Sequence, residues 1–247
     1  MERHAPFFRK NPYNKGLVIF IHGFMGSSKQ FNGLVDAAYK QGYSIDTLLL
    51  PGHGGSVKKF SEGTYERWQQ YVDSEVERFS QDYDRIILVG HSMGGLLAVN
   101  TSVKFPEKLS CLFIIACPFI LTKFSFYSLK VWVMQAFRRK SNPKKAAYIN
   151  GTSVELTPDL IIGTIKPYFE FNKLQHAARS SLPDVTVPIT AVYSSGDELT
   201  SMKSLNVLKA DLKKAPLNTV ILSDSLHAYY TDKEQVFIEE QFIKELT

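Results

Sequence analysis

The sequence predicts an α/β fold: a mostly parallel sheet with helices on both faces and one helical insertion. Three observations carry this. Short apolar runs alternate with amphipathic stretches along most of the 247 residues. One such run, Arg85-Ile86-Ile87-Leu88-Val89, passes through Gly90-His91-Ser92-Met93-Gly94 straight into a helix-forming stretch from Gly95 to Asn100. The alternation then breaks between Cys117 and about Pro183, where the spacing between strands far exceeds what one crossover helix requires.

Taken in order, strands are expected near residues 17–22, 44–49, 85–90, 109–116, 188–194 and 219–222, with a weaker signal at 6–9. Helices are expected at 28–41, 65–79, 94–105, 202–213 and 233–246. The insertion begins with Phe124 to Arg138, apolar on most faces of a helix. It ends with Pro167 to Ser181, where the proline suits a first helical turn and Phe169, Leu174, Ala177 and Ala178 form a stripe. The expected organisation is therefore a core of residues 1–117 and 183–247 carrying a helical cap at 118–182.

Charge separates the two parts. No acidic residue lies between Glu107 and Glu155, while Lys108, Lys123, Lys130, Arg138, Arg139, Lys140, Lys144 and Lys145 all do. Of 29 basic residues, the other 21 face 24 acidic ones, so an acidic body carries a basic, aromatic-rich cap behind the net charge of +5. The clusters Arg138-Arg139-Lys140 and Lys144-Lys145 solvate the cap or give weak contact with an anionic membrane surface. The polar start Met1-Glu2-Arg3-His4-Ala5-Pro6 is unlike a signal peptide, and no apolar run reaches bilayer-spanning length. Cys111 and Cys117 bracket an apparent strand, which keeps them apart, so two reduced thiols and a cytoplasmic setting are expected.

The chemistry centres on Ser92. A serine on a sharp strand-to-helix turn is strained, and its flanking glycines are required because a Cβ there would strike the adjoining strand or helix. A hydroxyl needs a base, and the base an orienting partner. Of six histidines, His4 lies in a tail, His176 in the cap, and His91 diverges from its neighbour. His227, between the last strand and last helix, falls at the carboxyl edge of the sheet where the turn opens. The acid is expected at Asp197, after the strand at 189–194, with Glu198, Asp184 and Asp224 as competitors. An oxyanion would be held by the backbone N–H groups of Met93 and Phe24, the latter in the glycine-rich loop His22-Gly23-Phe24-Met25-Gly26. His22 is expected to tie that loop down, and His53 in Pro51-Gly52-His53-Gly54-Gly55 to cap loop backbone. No metal-ligand spacing, phosphate-binding loop or dinucleotide fingerprint is found, so no metal, cofactor or nucleic-acid partner is implied.

These motifs, with Leu226-His227 and the chain order Ser92, Asp197, His227, resemble the α/β-hydrolase family. More narrowly, they resemble small bacterial carboxylesterases and monoacylglycerol-lipase-like serine hydrolases. The resemblance implies an α/β-hydrolase fold whose short helical cap brings Phe119, Phe126, Trp132, Met134 and Phe137 near an acyl site, although half of these would serve only to pack the cap. The expected substrate is a small-molecule ester with an apolar acyl group of about four to ten carbons, the gain coming from burying a hydrocarbon chain. The expected activity is that of a serine carboxylesterase, with monoacylglycerol lipase or thioesterase as alternatives, and a non-catalytic hydrolase-like ligand-binding protein as the rival of another class. The sequence leaves the oligomeric state open.

Overall fold

A computed structural model describes residues 4–120, 151–155 and 157–247. Seven strands form one sheet: β1 (Phe7–Arg9), β2 (Leu17–Ile21), β3 (Ser44–Thr47), β4 (Ile86–His91), β5 (Leu109–Ile115), β6 (Ile189–Ser194) and β7 (Leu217–Leu222). Their order across the sheet is β1-β3-β2-β4-β5-β6-β7. Every pairing is parallel except β1 with β3, where Phe7 faces Thr47 and Arg9 faces Ile45.

Strand composition explains the layering. All residues of β2 and β4 are buried, as expected of strands covered on both faces. Because successive side chains alternate, Leu17, Ile19, Ile21 and Leu88 join one buried cluster while Val18, Phe20, Ile87 and Val89 join another. The first cluster takes in Trp68, Val72 and Val76 of α3 (Tyr65–Phe79) and Leu96, Leu97 and Val99 of α4 (Met93–Lys104). The second takes in Leu34 and Ala38 of α1 (Asn32–Lys40). A short α2 (Val57–Ser61), capped by Ser56 Oγ on Lys59 N–H, has no counterpart in the sequence reading.

The chain then reaches α5 (Leu160–Ser181), the turn at 182–184, α6 (Lys203–Asp211) and α7 (Asp232–Leu246), which carries Ile238, Phe242 and Leu246 into the second cluster. Helix α5 differs from expectation. It starts at Leu160, so Pro167 lies inside it and not in its first turn, and with no N–H it cannot donate the helical hydrogen bond to the carbonyl of Gly163. Leu174 and Ala178 are buried in the main core with Leu205 and Leu208 of α6, but Phe169 of the expected stripe is 61% exposed. The predicted helix at 124–138 lies outside the described residues. Cys111 and Cys117 are buried and form no disulfide. Among the described residues, no helix is long and apolar enough to cross a membrane.

Candidate active site

Strand β4 ends, and α4 begins, at a turn that its glycines make possible. Ser92 has φ 52° and ψ −115°, a region L-residues seldom occupy. A Cβ on Gly90 would lie 2.5 Å from Gly95 N, and one on Gly94 would overlap the Ile21 carbonyl of the next strand. The turn is fixed by Ser92 N–H donating to Ile115 O (2.8 Å) and Gly95 N–H donating to Ser92 O (3.0 Å). Ser92 stays 7% exposed at the helix N-terminus, where the dipole favours developing negative charge.

Gly23 packs against this turn: a Cβ there would approach Ser92 Cβ at 3.2 Å. The loop it opens is anchored by histidines. His22 Nδ1–H donates to Gly23 O (2.8 Å), and His22 Nε2 accepts from Leu50 N–H (3.0 Å). His53 Nε2 accepts from Met25 N–H (3.2 Å). Both have the tethering roles read from sequence, and burial depresses both imidazoles, His22 to about 4 and His53 well below its usual value. Among the described residues, neither Phe24 N–H nor Met93 N–H donates a hydrogen bond to the protein. The Phe24 ring lies 5.2 Å from that of Phe60 and 5.6 Å from that of Phe171, with Trp68 at 6.4 Å.

His227 follows β7 in a loop whose backbone is held at several points. Its N–H donates to Glu198 Oε2 (3.1 Å), and its carbonyl accepts from His91 Nε2–H (2.9 Å) and Tyr230 OH (3.3 Å). Glu234 of α7 secures the start of the loop by accepting from Ser223 N–H (2.7 Å) and Ser225 Oγ–H. The ring Nδ1–H donates to Asp197 Oδ2 (2.9 Å) and Oδ1 (3.2 Å), which leaves Nε2 as the unprotonated nitrogen of the neutral ring. Asp197 Oδ1 also accepts from Leu199 N–H (2.8 Å) and Thr200 N–H (2.7 Å). Burial pushes the Asp197 carboxyl up, but the His227 charge and bond and these two N–H donors outweigh it, and the group titrates below its ordinary value. Burial likewise pushes His227 down. Asp197, by charge and hydrogen bond, more than reverses this, aided by the Glu198 charge, so the imidazole titrates above its ordinary value.

The structure therefore brings together Asp197 and His227. Of the competing carboxylates, Glu198 takes the His227 backbone N–H, Asp184 pairs with Lys214 (2.7 Å), and Asp224 accepts from Ser223 Oγ–H (3.2 Å). The Ser92 side is reached through its neighbour. The His91 and His227 rings are 5.0 Å apart, edge to face, and Ser92 Oγ forms no hydrogen bond among the described residues. Hydrogen bonds of this kind are commonly long before substrate arrives. Phe119 is 2% exposed and belongs to the main core cluster. Phe126, Trp132, Met134 and Phe137 lie outside the described residues. Sequence reasoning missed the bracing roles of His91, Glu198 and Glu234, and the rings of Phe60, Trp68 and Phe171 around Phe24. Among the described residues, no group of His, Cys, Asp and Glu is arranged to hold a metal ion.

A family model described as Hydrolase_4, serine aminopeptidase S33, matches residues 12–234. Among curated relatives, putative esterase/lipase 2 of Mycoplasma genitalium is 29% identical over 139 residues, covering 56% of this chain and 51% of that one. A thermostable monoacylglycerol lipase of Bacillus sp. (strain H-257) is 29% identical over 103 residues, covering 41% and 40%. The chain thus spans about half, or less, of the length of these relatives. Among solved structures, a lipolytic enzyme from the metagenomic pair LipS and LipT superposes with TM-score 0.78 at 20% identity, covering 99% of both chains. The monoacylglycerol lipase of Paleococcus ferrophilus gives 0.69 at 15%, covering 98% of both. The strained turn after β4, the seven-stranded sheet and a match over nearly the whole length agree: the chain belongs to the Hydrolase_4 (serine aminopeptidase S33) family and has the α/β-hydrolase fold.

Proposed function

We propose that the protein is a serine carboxylesterase that hydrolyses short- to medium-chain carboxylic esters through an acyl-enzyme. The observation that carries this is the Asp197–His227 pair, bonded at 2.9 Å with Nε2 left available, on the loop that His91 ties to the Ser92 turn. His227 Nε2 takes the proton as Ser92 Oγ forms a bond to the ester carbonyl carbon, and the carbonyl π pair moves onto oxygen. Phe24 and Met93 N–H groups bind that oxyanion. Collapse restores the carbonyl and breaks the bond to the alkoxy group, which leaves with the His227 proton. Water, deprotonated by the same nitrogen, then repeats the sequence on the acyl-enzyme and frees the acid and Ser92.

An ester is favoured because the ground beside Phe24 is aromatic. Phe24, half-buried and backed by the buried rings of Phe60, Trp68 and Phe171, offers an acyl chain apolar surface worth about 25 cal/mol per Å² covered. Residues 118–182 are read as the cap over it. The substrate is then a small ester with an apolar acyl group, in a reducing, cytoplasmic setting that suits two thiols without a disulfide. Monoacylglycerols and thioesters are the nearest alternatives, since the same groups serve all acyl transfers.

The test is fluorophosphonate labelling with peptide mapping, followed by p-nitrophenyl esters from acetyl to decanoyl, a monoacylglycerol, an acyl thioester and an aminoacyl anilide. Labelling at Ser92 with kcat/KM rising from acetyl towards about ten carbons is expected. Absence of labelling, as a pure binder would give, refutes the mechanism. Equal turnover of acetyl and decanoyl esters, or preference for the anilide, refutes the substrate class.

A further inference from the structure

We propose that Ser153, within the insertion at 118–182, is a positioning residue for the oxyanion loop: it holds the Met25 peptide so that Phe24 N–H stays aimed at the reacting oxygen. The inference rests on the oxyanion role given above to Phe24. It begins with backbone geometry. Gly26 N–H donates to Gly23 O (2.8 Å), closing a four-residue turn with Phe24 and Met25 at its centre. Met25 occupies the third position at φ 58°, where such a turn ordinarily has glycine. A side chain at that position is needed for packing: Met25 is 6% exposed in a cluster with Val57, Phe60, Val154 and Leu160. A left-handed methionine persists only where its surroundings over-determine it.

Two contacts provide that constraint from opposite sides. His53 Nε2 receives Met25 N–H (3.2 Å). Ser153 N–H donates to Met25 O (2.9 Å), and its buried Oγ–H donates to Gly26 O (2.6 Å), with Met25 O at 3.4 Å. The same Oγ accepts Gly54 N–H (3.3 Å), so one hydroxyl joins the loop at 23–27 to the loop that carries His53. The short return segment adds Glu155 N–H on Gly55 O (3.1 Å), Ser27 Oγ–H on Gly151 O (3.4 Å) and the buried Val154 side chain beside Met25. Without the hydroxyl, Gly26 O and Gly54 N–H lose the partner they share, and the left-handed peptide is held only by His53 and the backbone N–H of Ser153. Phe24 N–H, one residue earlier, then drifts from a position where a shift of about 1 Å costs on the order of 100-fold in rate.

The experiment compares wild type with Ser153→Ala and Ser153→Thr, each corrected for active sites titrated by a fluorophosphonate. For Ser153→Ala, kcat on a p-nitrophenyl ester should fall about 10- to 100-fold with KM changed less than about threefold, and affinity for an alkyl boronic acid should fall in parallel with kcat/KM. Ser153→Thr, which keeps the hydroxyl, should restore most of the rate. A purely structural serine would instead lower the melting temperature and leave kcat per titrated site unchanged; Ser153→Ala within twofold of wild type overturns the inference. If Ser153→Ala does not fold, Ser153→Cys, close in shape and a weak donor, is judged by the same twofold limit. Failure of the wild type to label and to hydrolyse any ester would instead count against the esterase reading.

Discussion

Replacing Asp197 by Asn isolates the charge that governs His227. Asn keeps an Oδ1 acceptor for Leu199 N–H and Thr200 N–H, so the loop should hold its shape. What disappears is a negative charge 2.9 Å from Nδ1, in a pair whose side chains are only 10% and 2% exposed, so solvent screens it little. At roughly 4 Å between charge centres and an effective dielectric of about 20, that charge would stabilise the imidazolium of the proposed mechanism by about 4 kcal/mol, or about a thousandfold in rate. An amide that turns its NH₂ towards the ring also favours the wrong tautomer, which extends the loss towards about 10⁴. The pH profile gives a second reading. In wild type the acid limb of kcat/KM should lie above the ordinary imidazole value, because His227 is raised and only its neutral form acts as base. In Asp197→Asn, burial, the largest influence and a lowering one, meets less opposition, and the limb should move to lower pH. Steady-state kinetics on a p-nitrophenyl ester from pH 5 to 9 measures both. A variant within tenfold of wild type, or an unmoved acid limb, would refute Asp197 as the partner of the base.

Other expectations concern the scaffold. Gly94→Ala would drive a Cβ into the Ile21 carbonyl, so Ser92 should lose fluorophosphonate labelling or the chain should fail to fold; normal labelling would contradict the packing of this turn. Asp46, buried with Oδ2 unpaired among the described residues, titrates at about 7 and not at 3.8, raised by burial and then by Glu75 against a smaller opposing effect of Arg78. Its protonated form suits the fold, so stability is full below about pH 4, falls as pH rises through about 7, and is reduced by at most about 4 kcal/mol above that. Asp46→Asn should therefore raise the melting temperature at pH 8 and flatten its decline between pH 5 and 8; an unchanged slope would reject the assignment.

How much could be read from the chain follows the range of the interaction. Strands buried on both faces declare themselves as apolar runs, and β2, β4, β5 and β6 fall within a residue or two of expectation. The elbow is equally local, since its glycines and serine lie within six consecutive residues. Helix α2 escaped because five residues give barely one turn, and its support is the Ser56 cap and the burial of Val57 and Phe60. Helix α5 was misplaced at its start because a proline is ordinarily a first-turn residue, whereas here the chain accepts it within the helix. The Ser153 bonds reach across 127 positions to Gly26, and Glu198 and Glu234 act on backbone amides of a loop. A serine or glutamate carries no mark of which distant amide or carbonyl it will meet.

The four buried histidines of the site make the same point chemically, because burial alone would treat them alike. His22 is depressed to about 4, His91 to about 3 and His53 well below its usual range, with burial the leading cause in each. Each spends its hydrogen bonds on loop backbone: Gly23 and Leu50 for His22, Met25 for His53, and the His227 carbonyl for His91. Kept neutral, they brace the loops without adding cations that would compete for Asp197 or repel an imidazolium forming 5.0 Å from the His91 ring. Only His227 has a carboxylate on its ring, and only His227 is raised. Environments that drive identical groups in opposite directions suit the base role proposed for His227 and the bracing roles of the other three. Three of these imidazoles serve as fixed struts over the whole pH range in which the fourth exchanges its proton.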